Sequence, residues 1–283
     1  MSTAAPPTAP PPGWHLDPYG LAPLRWWDGW TWTPWVWNEP PPADPADAPW
    51  FPDIRTLRRP AAVLAAVMVA LLVAGNLATV ALVDTARIAA ALLGLAVLAL
   101  TSIGFPLAGV IASKQWGSGH IRRDLGFRFR PIDLALGLGG AVAMFLTVVI
   151  SGLILQAVGV PQTSNLDQYG DKPSALLIVF LFVLAGVLAP LTEEILFRGV
   201  LMRGLTDRST IPLAIIGQGV LFGSAHVMFD GGWGNIGLII PLALVGCVLG
   251  FLARWTGRLG TTITAHCIFN VTQLLLFFVI GTR

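Results

Sequence analysis

The sequence predicts an all-α polytopic membrane protein, in which about seven transmembrane helices form a bundle and a small Trp- and Pro-rich module precedes them. Three observations lead to this prediction. Of the 283 residues, 55% are hydrophobic and 11% are charged, a composition too apolar for a water-soluble domain. Apolar runs of membrane-spanning length recur from residue 60 onward. Most of the tryptophans lie before residue 54, so the N-terminal segment differs in amino-acid composition from the remainder of the chain.

The domain boundaries follow these changes in composition. We assign residues 1–38 to the Trp-rich module, 39–59 to a Pro-rich and basic linker, 60–173 to N-terminal transmembrane helices, and 174–283 to the core that carries the chemistry. The linker has no apolar period, so we expect an extended, polyproline-like spacer. The N-terminus has neither a basic nor an apolar region of the kind found in signal peptides, and we expect it to stay in the cytoplasm.

Seven apolar segments have about the length of 20 residues that one crossing of a bilayer requires. They are residues 61–83, 87–113, 132–158, 174–200, 211–228, 236–253 and 261–281. Basic residues precede the first segment and follow the second, fourth and sixth, and the positive-inside rule places those connections in the cytoplasm. These residues are Arg55, Arg58, Arg59, Lys114, Arg122, Arg123, Arg128, Arg130, Arg203, Arg208, Arg254 and Arg258.

Charge and cysteine usage exclude two classes of function. A net charge of +2 is too small to indicate nucleic-acid binding, so we expect a lipid bilayer and no nucleic acid among the partners. Cys247 and Cys267 both lie inside apolar segments, where a free cysteine behaves as a small hydrophobic residue. The sequence therefore predicts neither a disulfide nor a cysteine-based metal site.

Glutamate occurs at Glu39, Glu193 and Glu194 only, and the last two are adjacent within an apolar segment. A charged side chain at the bilayer centre costs about 2.5–3.5 kcal/mol, so such a residue is either paired or functional. Glu194 and Arg198 are spaced i, i+4, which places them on one helical face and predicts a structural ion pair. Glu193 lies about 100° around the helix from Glu194. It has no such partner and is the candidate functional group.

Two of the four histidines also lie in apolar segments, and each shares a helical face with a second motif residue. Phe222 and His226 are spaced i, i+4, as are His266 and Asn270. A single intramembrane histidine is commonly an interhelical hydrogen-bonding group, but together with an unpaired glutamate these residues indicate a site. The basic turn near Ser209 is almost equally far along the chain from Glu193 and His226, which predicts that the two face each other. His266 follows Arg258 so closely that it is expected to lie lower in the membrane.

The ordered set of three motifs resembles the CPBP (Abi) family of intramembrane proteases, which includes CAAX prenyl endopeptidases and bacteriocin-processing or immunity proteins. The family's Glu-Glu-x-x-x-Arg, Phe-x-x-x-His and His-x-x-x-Asn motifs are matched from Glu193 to Arg198, by Phe222 with His226, and by His266 with Asn270. The resemblance covers residues 174 to the C-terminus.

A separate resemblance covers residues 13–33, which are similar to a Trp-rich actinobacterial domain of unknown function. The matching positions are Gly13, Trp14, Asp17, Pro18, Arg25, Trp26, Trp27, Asp28, Gly29, Trp32 and Thr33. This resemblance implies no activity, and a protein partner of the module is one expectation.

The family resemblance implies that Glu193 and His226 activate a water that attacks a peptide carbonyl of a peptide or membrane-protein substrate. His266 and Asn270 would then stabilise the oxyanion. Zinc held by Glu193, His226 and His266 is the alternative. We favour the metal-free mechanism, because a His-x-x-x-Asn face suits an oxyanion better than a zinc shell. From the height of Glu193 we expect the site to open toward the cytoplasm.

Two other functions compete with the protease hypothesis. Buried glutamate and histidine also form proton relays in transporters, but the two halves of this chain show no inverted repeat. A catalytically idle immunity or scaffold protein could instead use the bundle to sequester a peptide. The intact motifs favour an enzyme over both.

Overall fold

The computed structural model describes residues 12–28, 30–37, 57, 59–82, 85–164, 166, 174–206, 211–228 and 232–280. The predicted linker lies outside these residues except at Leu57 and Arg59. The chain divides into two compact units. One comprises Met1–Asp53 with Trp255–Gly257, and the other comprises Ile54–Arg254 with Arg258–Arg283.

The described part of the N-terminal unit is a three-stranded antiparallel sheet with the strands in sequence order. Its strands are β1 (Gly13–Leu16), β2 (Leu24–Trp27) and β3 (Trp32–Trp37). Trp14 pairs with Trp26 across β1 and β2, and their rings meet edge to face with centroids 5.5 Å apart. The sequence prediction contains no strands here, because the density of tryptophan obscures the alternation of apolar and polar residues on which strand prediction depends.

Asp17 fixes the connection that follows β1. Its carboxylate accepts a hydrogen bond from Nε of Arg25 at 2.7 Å and one each from the backbone amides of Leu21 and Ala22 at 3.0 Å. The bond from Arg25 is the main cause that lowers the pKa of Asp17 to about 2. The matching Asp and Arg of the Trp-rich motif are therefore structural partners in this sheet.

The described part of the second unit is helical. Its α-helices are α1 (Arg59–Leu82), α2 (Arg87–Ala99), α3 (Phe105–Trp116), α4 (Ile121–Asp124), α5 (Ile132–Ala157), α6 (Ala175–Val183), α7 (Ala189–Glu194), α8 (Met202–Leu205), α9 (Ile211–Ser224), α10 (Gly234–Thr256) and α11 (Leu259–Leu275). Four π-helical segments continue or join them: Leu100–Gly104, Leu184–Leu188, Ile195–Leu201 and Leu276–Ile280. The chain from α6 to α8 therefore forms one long helical segment.

Six helical segments of the described chain are long and apolar enough to cross a membrane: Pro60–Thr79, Leu92–Trp116, Ile132–Ala157, Ala175–Leu205, Gly234–Thr256 and Leu259–Phe278. The fifth predicted span corresponds to α9, whose 14 residues extend only about 21 Å. This is shorter than a bilayer core. Six long helices and one short apolar helix agree with the prediction of about seven and with a polytopic membrane protein.

Apolar side chains cover the outer surface of the helices. On α5, for example, Leu134 is 69% exposed and Leu138 is 56% exposed, a surface that suits lipid and not water. The polar residues Asp133 and Ser151 of the same helix are buried. The polar groups thus face the interior of the bundle, where protein partners can satisfy them.

Close packing of α5 against α11 sets the position of the third motif. A Cβ on Gly137 would lie 2.6 Å from Cγ2 of Thr264, and a Cβ on Gly140 would lie 3.0 Å from that of Ala265. Small residues at such points let two helix backbones approach closely. The two glycines therefore bring α11, with His266, deep into the bundle.

Candidate active site

The helix that carries the two glutamates is interrupted on both sides. Glu193 and Glu194 are the last residues of α7, between the π-helical segments Leu184–Leu188 and Ile195–Leu201. Pro190 lies in the first turn of α7 and cannot donate a backbone hydrogen bond. π-Helical turns shift the direction of the side chains that follow and are frequent at functional sites.

Glu194 and Arg198 form the ion pair that their spacing predicts. Nη1 of Arg198 donates to Oε1 of Glu194 at 2.8 Å, and both side chains are completely buried. Nη2 of Arg198 donates to the carbonyl oxygen of Gly246 at 3.0 Å, and the guanidinium lies 4.6 Å from the ring centre of Phe222. The pair thus ties the glutamate helix to α9 and α10.

The same glutamate oxygen has a second partner that the sequence does not predict. Nδ1 of His266 lies 3.0 Å from Oε1 of Glu194. A carboxylate accepts hydrogen bonds only, so Nδ1 carries the hydrogen. This bond fixes the ring of His266 and directs its other nitrogen away from Glu194. Nε2 of His266 lies 3.9 Å from Oε2 of Glu193.

The other two motif residues are oriented by backbone carbonyls. Nδ1 of His226 lies 2.8 Å from the carbonyl oxygen of Phe222, although α9 ends at Ser224 and His226 lies in the turn beyond it. Nδ2 of Asn270 donates to the carbonyl oxygen of Ala185 at 2.8 Å. His226 keeps Nε2 for another partner, and Asn270 keeps its second amide hydrogen and its carbonyl oxygen.

All four catalytic candidates border one cavity with a volume of about 440 Å³. They are Glu193, His226, His266 and Asn270, and Phe222 lines the same wall. Volumes of this size are typical of small-molecule and substrate sites. Three motifs that are far apart in the sequence therefore meet at a single space.

The first turn of α11 explains why His266 lies level with the other motifs. Leu259 and Thr261 are completely buried, so the helix begins inside the protein and not at its surface. The backbone amide of Leu259 donates to the carbonyl oxygen of Gly126 at 2.7 Å, and that of Gly260 donates to Arg128 at 3.0 Å. The chain before α5 thus supplies acceptors for the free amides of this helix end.

Asp133 also secures the start of α11, and it is not among the residues predicted from the sequence. Its Oδ1 accepts hydrogen bonds from Nη2 of Arg258 at 2.7 Å and from Oγ1 of Thr261 at 2.6 Å. These partners lie more than a hundred residues further along the chain. Helical spacing therefore could not predict the contacts of Asp133 with Arg258 and Thr261. An acidic residue at the start of an apolar helix is only a weak indication that such a contact exists.

The cavity extends from Glu193 toward one end of the bundle. Its lining includes Gln162, Thr163 and Ser164 from the connection between α5 and α6, and Gly237 from the first turn of α10. The basic connections used to assign the cytoplasmic side lie at the other ends of α5 and α10. The cavity therefore extends toward the ends of α5 and α10 that lie away from the basic connections. If those connections are cytoplasmic, this is the end opposite to the one at which we expect the site to open.

The zinc alternative requires three ligands around one point. Among the residues that the structure describes, no group of three His, Cys, Asp or Glu side chains is arranged to hold a metal ion. The described arrangement does not fit a three-ligand zinc site, and we derive no chemical step through a metal.

Comparison with known proteins supports the motif assignment. Residues 175–272 match the family described as type II CAAX prenyl endopeptidase Rce1-like. No curated protein and no solved structure matches the chain. The matched range contains the Glu-Glu-x-x-x-Arg, Phe-x-x-x-His and His-x-x-x-Asn motifs and every catalytic candidate that borders the cavity. The helical segment that holds the candidate site is therefore similar to the Rce1-like family of type II CAAX prenyl endopeptidases.

Proposed function

We propose that the protein is an intramembrane endopeptidase that hydrolyses peptide bonds of membrane-associated proteins or peptides. The observation that carries this proposal is the position of Glu193, whose carboxylate borders the cavity and, among the described residues, forms no salt bridge with Lys or Arg. Glu194, by contrast, is neutralised by Arg198. An ionised glutamate beside a protected cavity is suited to remove a proton from water.

In this mechanism a water in the cavity bonds to Glu193 and to Nε2 of His226. As the water oxygen attacks the carbonyl carbon of the substrate, Glu193 takes its proton. The carbon–nitrogen bond then breaks, and Glu193 returns the proton to the leaving nitrogen. The reaction consumes one water and needs no further reactant.

His266 and Asn270 are the proposed donors to the oxyanion that forms during attack. The second amide hydrogen of Asn270 is available, because the first is bonded to Ala185. With the hydrogen on Nδ1 of His266 directed to Glu194, Nε2 donates only when the ring carries both protons. The carboxylate of Glu193, whose Oε2 lies 3.9 Å from Nε2 of His266, compensates that positive charge.

Comparative analysis of protein termini in cell membranes tests the proposal and finds substrates. Membranes are prepared from cells that produce the wild-type protein, Glu193→Gln, or Glu39→Gln, a matched change at the only other glutamate outside the pair. We expect new peptide termini that depend on wild-type protein and persist with Glu39→Gln but disappear with Glu193→Gln. Identical termini in all three samples, with equal amounts of protein in the membrane, would contradict a protease.

A further inference from the structure

The connection between β1 and β2 exposes apolar side chains at one end of the Trp-rich sheet. We call residues 17–23 of this connection the apolar loop. Leu16, which precedes the loop, is 79% exposed, and Tyr19 and Leu21 within it are 61% and 77% exposed. Apolar side chains that are exposed next to one another commonly mark a surface that contacts a protein or a membrane.

The backbone amides of this loop already have acceptors. Four consecutive amides donate to oxygen atoms of Asp17 at 3.0–3.2 Å, and they belong to Tyr19, Gly20, Leu21 and Ala22. The residues on either side of these four are Pro18 and Pro23, which have no amide hydrogen. An unpaired amide costs free energy when it leaves water. The apolar loop can therefore enter a less polar medium without that cost for its amides.

The apolar loop also lacks a free charge. Its carboxylate, that of Asp17, is buried and accepts a hydrogen bond from Nε of Arg25 at 2.7 Å. Arg25 is the single Lys or Arg in the sequence of residues 1–53, so this module has no basic cluster of the kind that attracts anionic lipids. Any contact that the loop makes is therefore driven by its apolar side chains.

The chain leaves the sheet toward the membrane at the same end as the apolar loop. Leu16 pairs with Leu24, and Leu24 pairs with Trp37, the last residue of β3. About 20 residues connect Trp37 to α1, and a chain of this length reaches at most about 70 Å. Because α1 contains the first of the apolar segments that are long enough to cross a membrane, the bilayer surface stays within reach of the loop.

We infer that the apolar loop is a membrane-contacting element, which inserts the side chains of Leu16, Tyr19 and Leu21 into the interface of the bilayer. Tyrosine is enriched at this interface, where its ring meets apolar chains and its hydroxyl group meets water. Elements that bind in this way bury their apolar side chains about 5–10 Å into the boundary between head groups and acyl chains. The proposed contact does not depend on peptide cleavage.

Quenching of a fluorophore by labelled lipid measures the insertion in the full-length protein. Cys247 and Cys267 are replaced by alanine, and a fluorophore is attached through Leu21→Cys or Trp30→Cys. Trp30 is the matched control, because it is also exposed but lies in the connection between β2 and β3. The length of β3, 6 residues or about 20 Å, separates it from the loop.

Single copies of each labelled protein are placed in nanodiscs of phosphatidylcholine, with or without a lipid that carries a nitroxide near its head group. We expect the nitroxide to quench the fluorophore at position 21 several-fold more strongly than the one at position 30. High salt should not reduce this difference, because no charge attraction holds the loop to the lipid. In the protein labelled at position 21, Leu16→Asp should weaken the quenching, because a carboxylate resists dehydration, whereas Trp30→Asp should not.

Three outcomes would overturn the inference. Equal quenching at positions 21 and 30 would show that the loop does not enter the bilayer, and would leave it to a soluble partner or a second copy of the chain, both of which the nanodisc lacks. Quenching that high salt abolishes would show a contact held by charge. Quenching that Leu16→Asp does not weaken would show that the apolar side chains are not its cause.

Discussion

Glu194→Ala leaves the guanidinium of Arg198 buried without its carboxylate. Both side chains are completely inaccessible, and the bond between Nη1 and Oε1 measures 2.8 Å. Removal of one partner of a buried ion pair costs about 3–5 kcal/mol, because the remaining charge keeps its desolvation penalty. The carbonyl oxygen of Gly246 and the ring of Phe222 still contact Arg198, but neither carries a negative charge.

This loss is measurable as thermal unfolding of the purified protein in detergent. A cost of about 3–5 kcal/mol corresponds to a fall in the midpoint of about 10 °C in a protein of this size. Glu193→Ala is the matched control, because it removes the same group from the adjacent position. The side chain of Glu193 is 18% exposed at the cavity and has no buried guanidinium to strand, so its loss should lower the midpoint far less.

A double variant separates the structural contribution of Glu194 from its contact with His266. Glu194→Leu combined with Arg198→Met removes both charges and leaves apolar groups, a change that often restores the stability of a buried pair. Activity should not return, because Nδ1 of His266 no longer meets a carboxylate. Glu194→Ala protein that unfolds at the wild-type temperature would refute the ion-pair reasoning. A double variant that unfolds at as low a temperature as Glu194→Ala would refute it as well.

Three further predictions concern other parts of the protein. Asp133→Asn should lower the stability by about 2–3 kcal/mol and reduce peptide cleavage, because it weakens the attachment of α11; thermal unfolding and the cleavage rate check this. In the Trp-rich sheet, the bond from Arg25 lowers the pKa of Asp17 from 3.8 to about 2, below its value in the unfolded chain. The ion pair between Asp17 and Arg25 therefore stabilises the sheet above about pH 4. This contribution is lost as the pH falls toward 2. The change in tryptophan fluorescence of the full protein that accompanies the titration of Asp17 between about pH 4 and 2 should therefore be reduced in Asp17→Asn, which lacks the titrating carboxylate. Treatment with a zinc chelator should leave the cleavage rate unchanged; a loss that added zinc reverses would contradict the metal-free mechanism.

Much of the candidate site could be predicted from the sequence, because charges are rare in this chain and each one within an apolar segment is informative. The cost of burying Glu193, Glu194 and Arg198 in a membrane makes those positions conspicuous. Helical spacing then places Arg198 beside Glu194, and Asn270 on the face of His266. Each of these predictions uses local geometry alone.

Contacts between distant segments could not be predicted in the same way. Helical spacing gives no information about whether His266 faces Glu193, Glu194 or both, and the bond to Glu194 depends on the depth at which α11 begins. That depth is set by Gly126, Arg128 and Asp133, which lie on another part of the chain. The three short strands of the Trp-rich module could not be predicted for a different reason, because the density of tryptophan obscures the alternation of apolar and polar residues that indicates a strand.

The rate of peptide cleavage by purified Glu193→Gln protein tests the central claim most directly. The change keeps the size of the side chain and removes the base, so the folded structure and the membrane insertion should persist. If Glu193 takes the proton from the attacking water, the rate should fall by about 100- to 10,000-fold, whereas Glu39→Gln should cleave at the wild-type rate. A Glu193→Gln protein that retains the wild-type rate on the same peptide would contradict the proposed catalytic site.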